Sequence, residues 1–211
     1  MNNQPPKLYL PTHLGHSETD WDFSEPEHNI SNDQYVSPPS SLRCYQPPSL
    51  KRLVAICKAA GTTNLPSGRI VTYIRCTVNS NYGLIFRQPT APGGGDWSNC
   101  YCLDRIPGST FTELYKRVAS AQTAIGNFTP CTTWGINTWK QIRLTWWMDW
   151  GVLSLKYEQW EADEWVQQGD ILSDASPSFV GASYLRPGLY APGYPGSGYK
   201  YFDDTVIWAP A

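Results

Sequence analysis

Short stretches in which apolar and polar residues alternate, separated by turn-forming residues, make up most of the chain from about residue 20 onward. "GRIVTYIRCTV" (68–78), "YGLIFRQ" (82–88) and "SNCYCLDRI" (98–106) repeat with a period of two, which places successive side chains on opposite faces of a strand. "DWDFSE" (20–25), "SSLRCYQ" (40–46) and "LVAICKA" (53–59) read the same way, and "TFTELYKRVAS" (110–120) is placed with them by its neighbours. The run 138–170 reads as a strand, a turn at Asp149–Gly151, a strand, a turn at Glu161–Asp163 and a further short strand. "PSFVGASYL" (177–185) and "YKYFDDTVIW" (199–208) close the series. Many short strands, frequent turns and no convincing long helix predict an all-β sandwich.

Two segments break the alternation. Residues 1–17 are polar and Pro-rich, and are expected to form an extended arm ahead of a single domain spanning 18–211. The segment "YLRPGLYAPGYPGSGYK" (184–200) carries so many Pro and Gly residues that a surface loop is expected there, not a central strand.

Composition narrows the function. With 16 basic and 18 acidic residues, the chain lacks the basic excess that nucleic acid requires, and no nucleic-acid partner is expected. No apolar run reaches the roughly 18 residues of a membrane helix, so no membrane association is expected. The beginning of the chain lacks the pattern of a secretory signal. Ten Trp and thirteen Tyr suit strands and flat binding faces. The six Cys read as buried thiols, since Cys100 and Cys102 share a face at a spacing poorly suited to a mutual disulfide. His13, His16 and His28 all lie near the N-terminus, where a polar arm accounts for them without a ligand role.

The segments "WKQIRLTWWMDWGVLSLKYEQWEADEW", "GDILSD" and "YFDDTVIW", together with "DWDFSEPE", "SPPSSLRC", "NYGLIFR" and "YCLDR", resemble the antiparallel jelly roll of the concanavalin A-like lectin/glucanase superfamily over residues 18 to 209. Galactose-binding-like carbohydrate modules, which share the terminal Asp-Asp strand, are the nearest competing architecture. Retaining hydrolases of the superfamily carry Glu-x-Asp-x-x-Glu, whose outer carboxylates must lie about 5–5.5 Å apart. The nearest string is "EADEWV", with Glu161, Asp163 and then Val166 where the second Glu should stand, so no catalytic residue is assigned.

Three groups of residues remain as site candidates. If the strands around Asp149–Gly151 pair, Arg143, Thr145, Trp147, Ser154, Lys156 and Glu158 share one polar-aromatic face, suited to stacking a sugar ring or to a protein interface. The Tyr-rich segment offers Tyr190 and Tyr194 for the same purposes. In the last strand, strict alternation puts Phe202, Asp204, Val206 and Trp208 on one buried face, so Asp204 needs a partner. Backbone N–H groups meet that need, and so does a structural calcium shared with Glu25, as related sandwich modules often hold; otherwise no cofactor is expected.

A fold common outside cells, in a chain without an export signal, points to a non-enzymatic structural or adhesion protein of a phage virion. Its partners would be other virion subunits, in a possible homo-oligomer, or a glycan. The alternative is an extracellular carbohydrate-binding module, with a glucanase-like hydrolase a more distant third.

Overall fold

The computed structural model describes residues 8–14, 19–23, 28–31, 33–38, 40–46, 52–92, 98–192 and 198–210. Among these residues there is no helix, and sixteen strands form two antiparallel sheets. The strands are β1 (Leu8–His13), β2 (Trp21–Phe23), β3 (His28–Ser31), β4 (Ser41–Gln46), β5 (Arg52–Cys57), β6 (Gly68–Cys76), β7 (Tyr82–Gln88) and β8 (Cys100–Arg105). They continue with β9 (Thr112–Val118), β10 (Ala121–Phe128), β11 (Lys140–Asp149), β12 (Val152–Glu161), β13 (Glu164–Gln167), β14 (Leu172–Asp174), β15 (Arg186–Pro192) and β16 (Gly198–Pro210). A nine-stranded sheet runs β13-β12-β11-β6-β16-β4-β3, with β1 joined to β16 and β14 to β12; a seven-stranded sheet runs β10-β9-β8-β7-β15-β5-β2. Packed face to face, they make the expected jelly-roll sandwich.

Alternation decides which residues lie between the layers. Strand β6 buries Ile70, Thr72 and Ile74 and turns Arg69, Val71, Tyr73 and Arg75 outward. Leu144, Trp146, Leu153, Leu155 and Tyr157 add to the same inner face, opposed by Tyr82, Leu84, Phe86, Tyr101 and Leu103 of the other sheet. Phe86 bridges the layers, its ring 5.3 Å from Trp146 and 5.2 Å from Tyr101. Large rings bring polar tips, and those of Trp146 and Tyr101 find partners. The Trp146 indole donates to the Leu65 carbonyl at 3.1 Å, and the Tyr101 hydroxyl donates to Asp174 at 2.7 Å while accepting from the Ser178 amide at 2.8 Å. Cys57, Cys76, Cys100, Cys102 and Cys131 are buried free thiols.

Four expectations are corrected. Residues 8–13 of the anticipated arm are strand β1, hydrogen-bonded to the second half of β16 from Leu8↔Pro210 to His13↔Val206. The strand expected over 177–185 is a turn region, in which Phe179 and Gly181 adopt positive φ; β14 precedes it instead.

The Pro- and Gly-rich segment contains β15, a central strand between β7 and β5. The first of its two prolines, Pro187, is tolerated because the pairing with β7 shifts between Arg186 and Gly188, and the pairing with β5 starts only at Gly188↔Ile56. Pro187 therefore sits where no ladder N–H is required. Gly188 is needed for close approach, since a Cβ there would come within 2.5 Å of the Ala55 carbonyl oxygen.

Last, β16 does not alternate regularly. Its register with β6 shifts between Asp203 and Val206, and Asp204 has a φ of 45°. This bulge reverses the facing of everything after it. Phe202 and Ile207 point into the core, while Val206 and Trp208 point outward.

Candidate functional site

The outward side of the nine-stranded sheet is organised in ranks of directly paired residues. One rank runs His13, Val206, Val71, Arg143, Glu158 and Gln167 across β1, β16, β6, β11, β12 and β13. The next runs Pro11, Trp208, Arg69, Thr145 and Lys156. A third pairs Trp147 with Ser154 and Ser154 with Ser173. The face expected from the hairpin is therefore assembled, and five strands extend it.

Along these ranks opens a cavity of about 200 Å³, lined by His13, Arg69, Val71, Arg143, Trp165, Val206 and Trp208. Pockets for drug-sized ligands run to roughly 300–1,000 Å³, so this one suits a single small ring. The paired valines supply an apolar base, two indoles supply flat walls, and two guanidiniums with one imidazole supply hydrogen bonds.

The two arginines are held differently. Arg143 is tightly held: its Nε and Nη2 reach the two Glu158 carboxylate oxygens at 2.6 and 2.5 Å, and its guanidinium lies 4.2 Å from the centre of the Trp165 ring. Trp165 is braced in turn by Trp160, edge to face at 5.3 Å. Lys156 Nζ also contacts Glu158, at 2.8 Å. Burial on its own would raise the Glu158 pKa, but the hydrogen bonds from Arg143 and Lys156 outweigh it and hold the carboxyl below its usual range.

Arg69 has far less support. Its Nε donates to Thr145 Oγ1 at 3.1 Å, and none of the described carboxylates forms an ion pair with it. Partial burial, then repulsion from Arg143, lowers its pKa from the ordinary value, with Glu158 partly opposing them.

Sequence-chosen residues fare unequally. Arg143, Lys156 and Glu158 do come together, but Glu158 is 2% exposed and acts as the buried brace of the other two. Trp147 is not a stacking platform: it is 3% exposed, with its indole N–H buried and without an acceptor. Tyr190 belongs to β15 and is buried in a second apolar cluster with Val54, Ile56, Ile85, Cys100, Cys102 and Tyr115. Tyr194 and Glu25 lie outside the described residues.

The bulge also exchanges the two aspartates. Asp203, not Asp204, is the buried one at 1% exposure. Its Oδ2 accepts from the amides of Val36 at 2.6 Å and Ser37 at 3.0 Å, and its Oδ1 from the Asp204 amide at 2.8 Å. Asp204 is half-buried and accepts from Ser37 Oγ at 2.6 Å. Calcium fits poorly at Asp203, whose oxygens face N–H donors, while Asp204 accepts from one hydroxyl and Glu25, the other expected ligand, lies outside the described residues. Among the described residues no three His, Cys, Asp or Glu side chains gather as a metal site. Glu161 to Val166 form a hairpin with Ala162 and Asp163 at positive φ, and Glu161 pairs with Lys140 at 2.6 Å.

Arg69, Trp165, Trp208 and His13 were missed by the sequence reading. Arg69 was visible as an outward position of β6, but nothing local to it shows that β6 lies beside β11.

No family model matches the chain, and no curated protein matches it in sequence. Solved structures do match in fold. The carbohydrate-binding module CBM66 from Bacillus subtilis is similar over 90% of this chain and 96% of its own, with a TM-score of 0.55 and 12% identity. The exoplasmic/lumenal domain of VIP36, bound to Ca2+ and Man3GlcNAc, is similar over 90% and 86%, with a TM-score of 0.55 and 11% identity. A conserved carbohydrate esterase of the Shiga toxin-encoding bacteriophage phi24B is similar over 98% and 100%, with a TM-score of 0.52 and 12% identity. The fold is the lectin-like jelly roll that these comparisons share with the resemblance noted in the sequence.

Proposed function

We propose that this chain is a non-catalytic glycan-binding module that holds a sugar in the cavity on the outer face of its nine-stranded sheet. The observation that carries the reading is the composition of that cavity: Trp165 and Trp208 line it beside the donors of Arg69 and His13, over Val71 and Val206. An indole stacks on the apolar face of a pyranose, while nearby cationic donors bond its hydroxyls. The similarity in fold to CBM66 and to glycan-bound VIP36 supports this reading. So does the lack of a second carboxylate at Val166, which argues against the two-carboxylate mechanism of retaining glycosidases.

A finer proposal is that the module acts as an adhesion or structural component of a phage virion. It is supported by the likeness to the phage phi24B protein over 98% of this chain. Partners would then include other virion subunits, and localisation would be the particle.

A glycan array tests the first reading. Binding to at least one glycan is expected, with Trp165→Ala and Trp208→Ala each weakening it tenfold or more while the circular dichroism spectrum is retained. A folded protein that binds no glycan ends the proposal. For the virion role, the chain should appear in purified particles, and its absence from them would end that part alone.

A further inference from the structure

We infer that the sugar held in this cavity is acidic, a pyranose bearing a carboxylate that Arg69 receives end-on. The inference rests on the glycan-binding reading and specifies its ligand class.

The ground for it is a mismatch of charge. Arg69, Arg143 and Lys156 share the face with Glu158, three cations to one carboxylate. Both Glu158 oxygens are already occupied, one by Arg143 Nε, the other by Arg143 Nη2 and Lys156 Nζ. No carboxylate among the described residues lines the cavity. Arg69 is thus partly withdrawn from water, beside a like charge, with one neutral hydrogen bond on Nε and neither η nitrogen bonded to any of the described residues. A guanidinium does not escape such a position by losing its proton. Its open edge presents two parallel N–H groups, the geometry that fits the two oxygens of a carboxylate.

The surroundings favour a sugar acid over a bare anion. Trp208 directly neighbours Arg69 across β16 and β6, so a ring stacked on that indole places a substituent carboxylate over the guanidinium. On the far side Arg143 is pinned by Glu158 and stacked on Trp165, which leaves it as a rigid wall rather than a competing receptor.

Calorimetric titration separates the possibilities, using a galacturonic acid oligomer, the neutral galactose oligomer of the same length and a sulfated galactose oligomer. The uronate oligomer should bind at least tenfold more tightly than the neutral one, and its affinity should fall as salt is raised. Arg69→Gln should remove that preference, bringing the affinity for the uronate oligomer down to or below that for the neutral one, and Arg69→Lys should restore part of it. Thermal melting checks that each variant is folded. Equal affinity for charged and neutral oligomers, or an unchanged preference in Arg69→Gln, overturns the inference while leaving glycan binding intact. Tighter binding of the sulfated oligomer overturns the carboxylate assignment. Failure of a folded protein to bind any of the three overturns the inference, and the glycan array decides whether the broader reading falls with it.

Discussion

On the outer face of the nine-stranded sheet, Arg69, Arg143 and Trp165 surround a cavity; on the outer face of the seven-stranded sheet, Val54, Ile56, Ile85, Cys100, Cys102, Tyr115 and Tyr190 are each no more than 2% exposed. Both faces are produced by the same alternation along their strands, yet one is open and the other sealed. Each also holds one imperfectly matched charge. In the sealed face, Asp104 accepts from Asn81 Nδ2 at 2.8 Å through one oxygen, while the other is buried without a partner. In the open face it is Arg69. The aspartate answers its burial by holding a proton, its pKa pushed up to about 7 by burial first and by Glu113 in addition. The arginine has no such recourse and needs an anion or water. The open face is therefore the one that carries the proposed site, and Tyr190 on the sealed one is buried in packing.

The contrast breaks most sharply at glycine. In the sealed face, a Cβ on Gly83 would come within 1.7 Å of the Leu103 carbonyl oxygen, a backbone contact that cannot swing aside as a side chain can. Gly83→Ala is expected to cost more than about 4 kcal/mol or to prevent folding. In the other sheet, a Cβ on Gly68 meets the Trp146 ring at 2.8 Å, a side-chain contact that can adjust in part. Gly68→Ala should cost about 1–3 kcal/mol. Urea denaturation measures both, and a Gly83→Ala protein as stable as Gly68→Ala would show that the two positions tolerate crowding equally.

A smaller effect sharpens the comparison at Asp104. Its pKa is raised on folding from an ordinary 3.8 to about 7. Between those values the folded protein keeps a proton that the unfolded chain has lost, so this group lowers stability as pH rises through the window, and fully so above it. Asp104→Asn should raise the melting temperature at pH 8, by the equivalent of about 1–2 kcal/mol once solvent screening of a half-buried group is allowed for. At pH 5 the gain should be less than half as large. Equal gains at the two pH values would remove Asp104 as the source.

How much of this was legible follows from what sequence patterns can encode. Strand β6 was readable because the core takes alternate residues, β7 and β8, buried on both sides, were readable as short strands between turns, and the short turn at Trp150–Gly151 sets the register that brings Arg143 opposite Glu158. The exposed strand β10 carries no such signal, since most of its side chains face solvent. In β15 a proline hides in a register shift, and in β16 one bulge inverted the facing of Val206 and Trp208. The cavity needed something alternation does not hold, the lateral order of strands. Residue 69 meets residue 145 on one side and residue 208 on the other only because β6 is inserted between β11 and β16.

The smallest expected effect concerns calcium, at the bulge that turns Trp208 onto the open face. A resident calcium takes six to eight oxygen ligands. Here the buried Asp203 spends both oxygens on amides of Val36, Ser37 and Asp204, and Asp204 accepts from a serine hydroxyl. Those donors already neutralise the carboxylates by aiming N–H and O–H dipoles at them, and a cation would have to displace them. Adding calcium, or a chelator, should then move the melting temperature by less than about 1 °C. A site filled at one hundred times its dissociation constant would add about 2.7 kcal/mol, or roughly 5–10 °C for a chain of this size. A calcium-dependent rise of that order would mean that the bulge is a metal site in solution, and that its amide donors turn away to admit the ion.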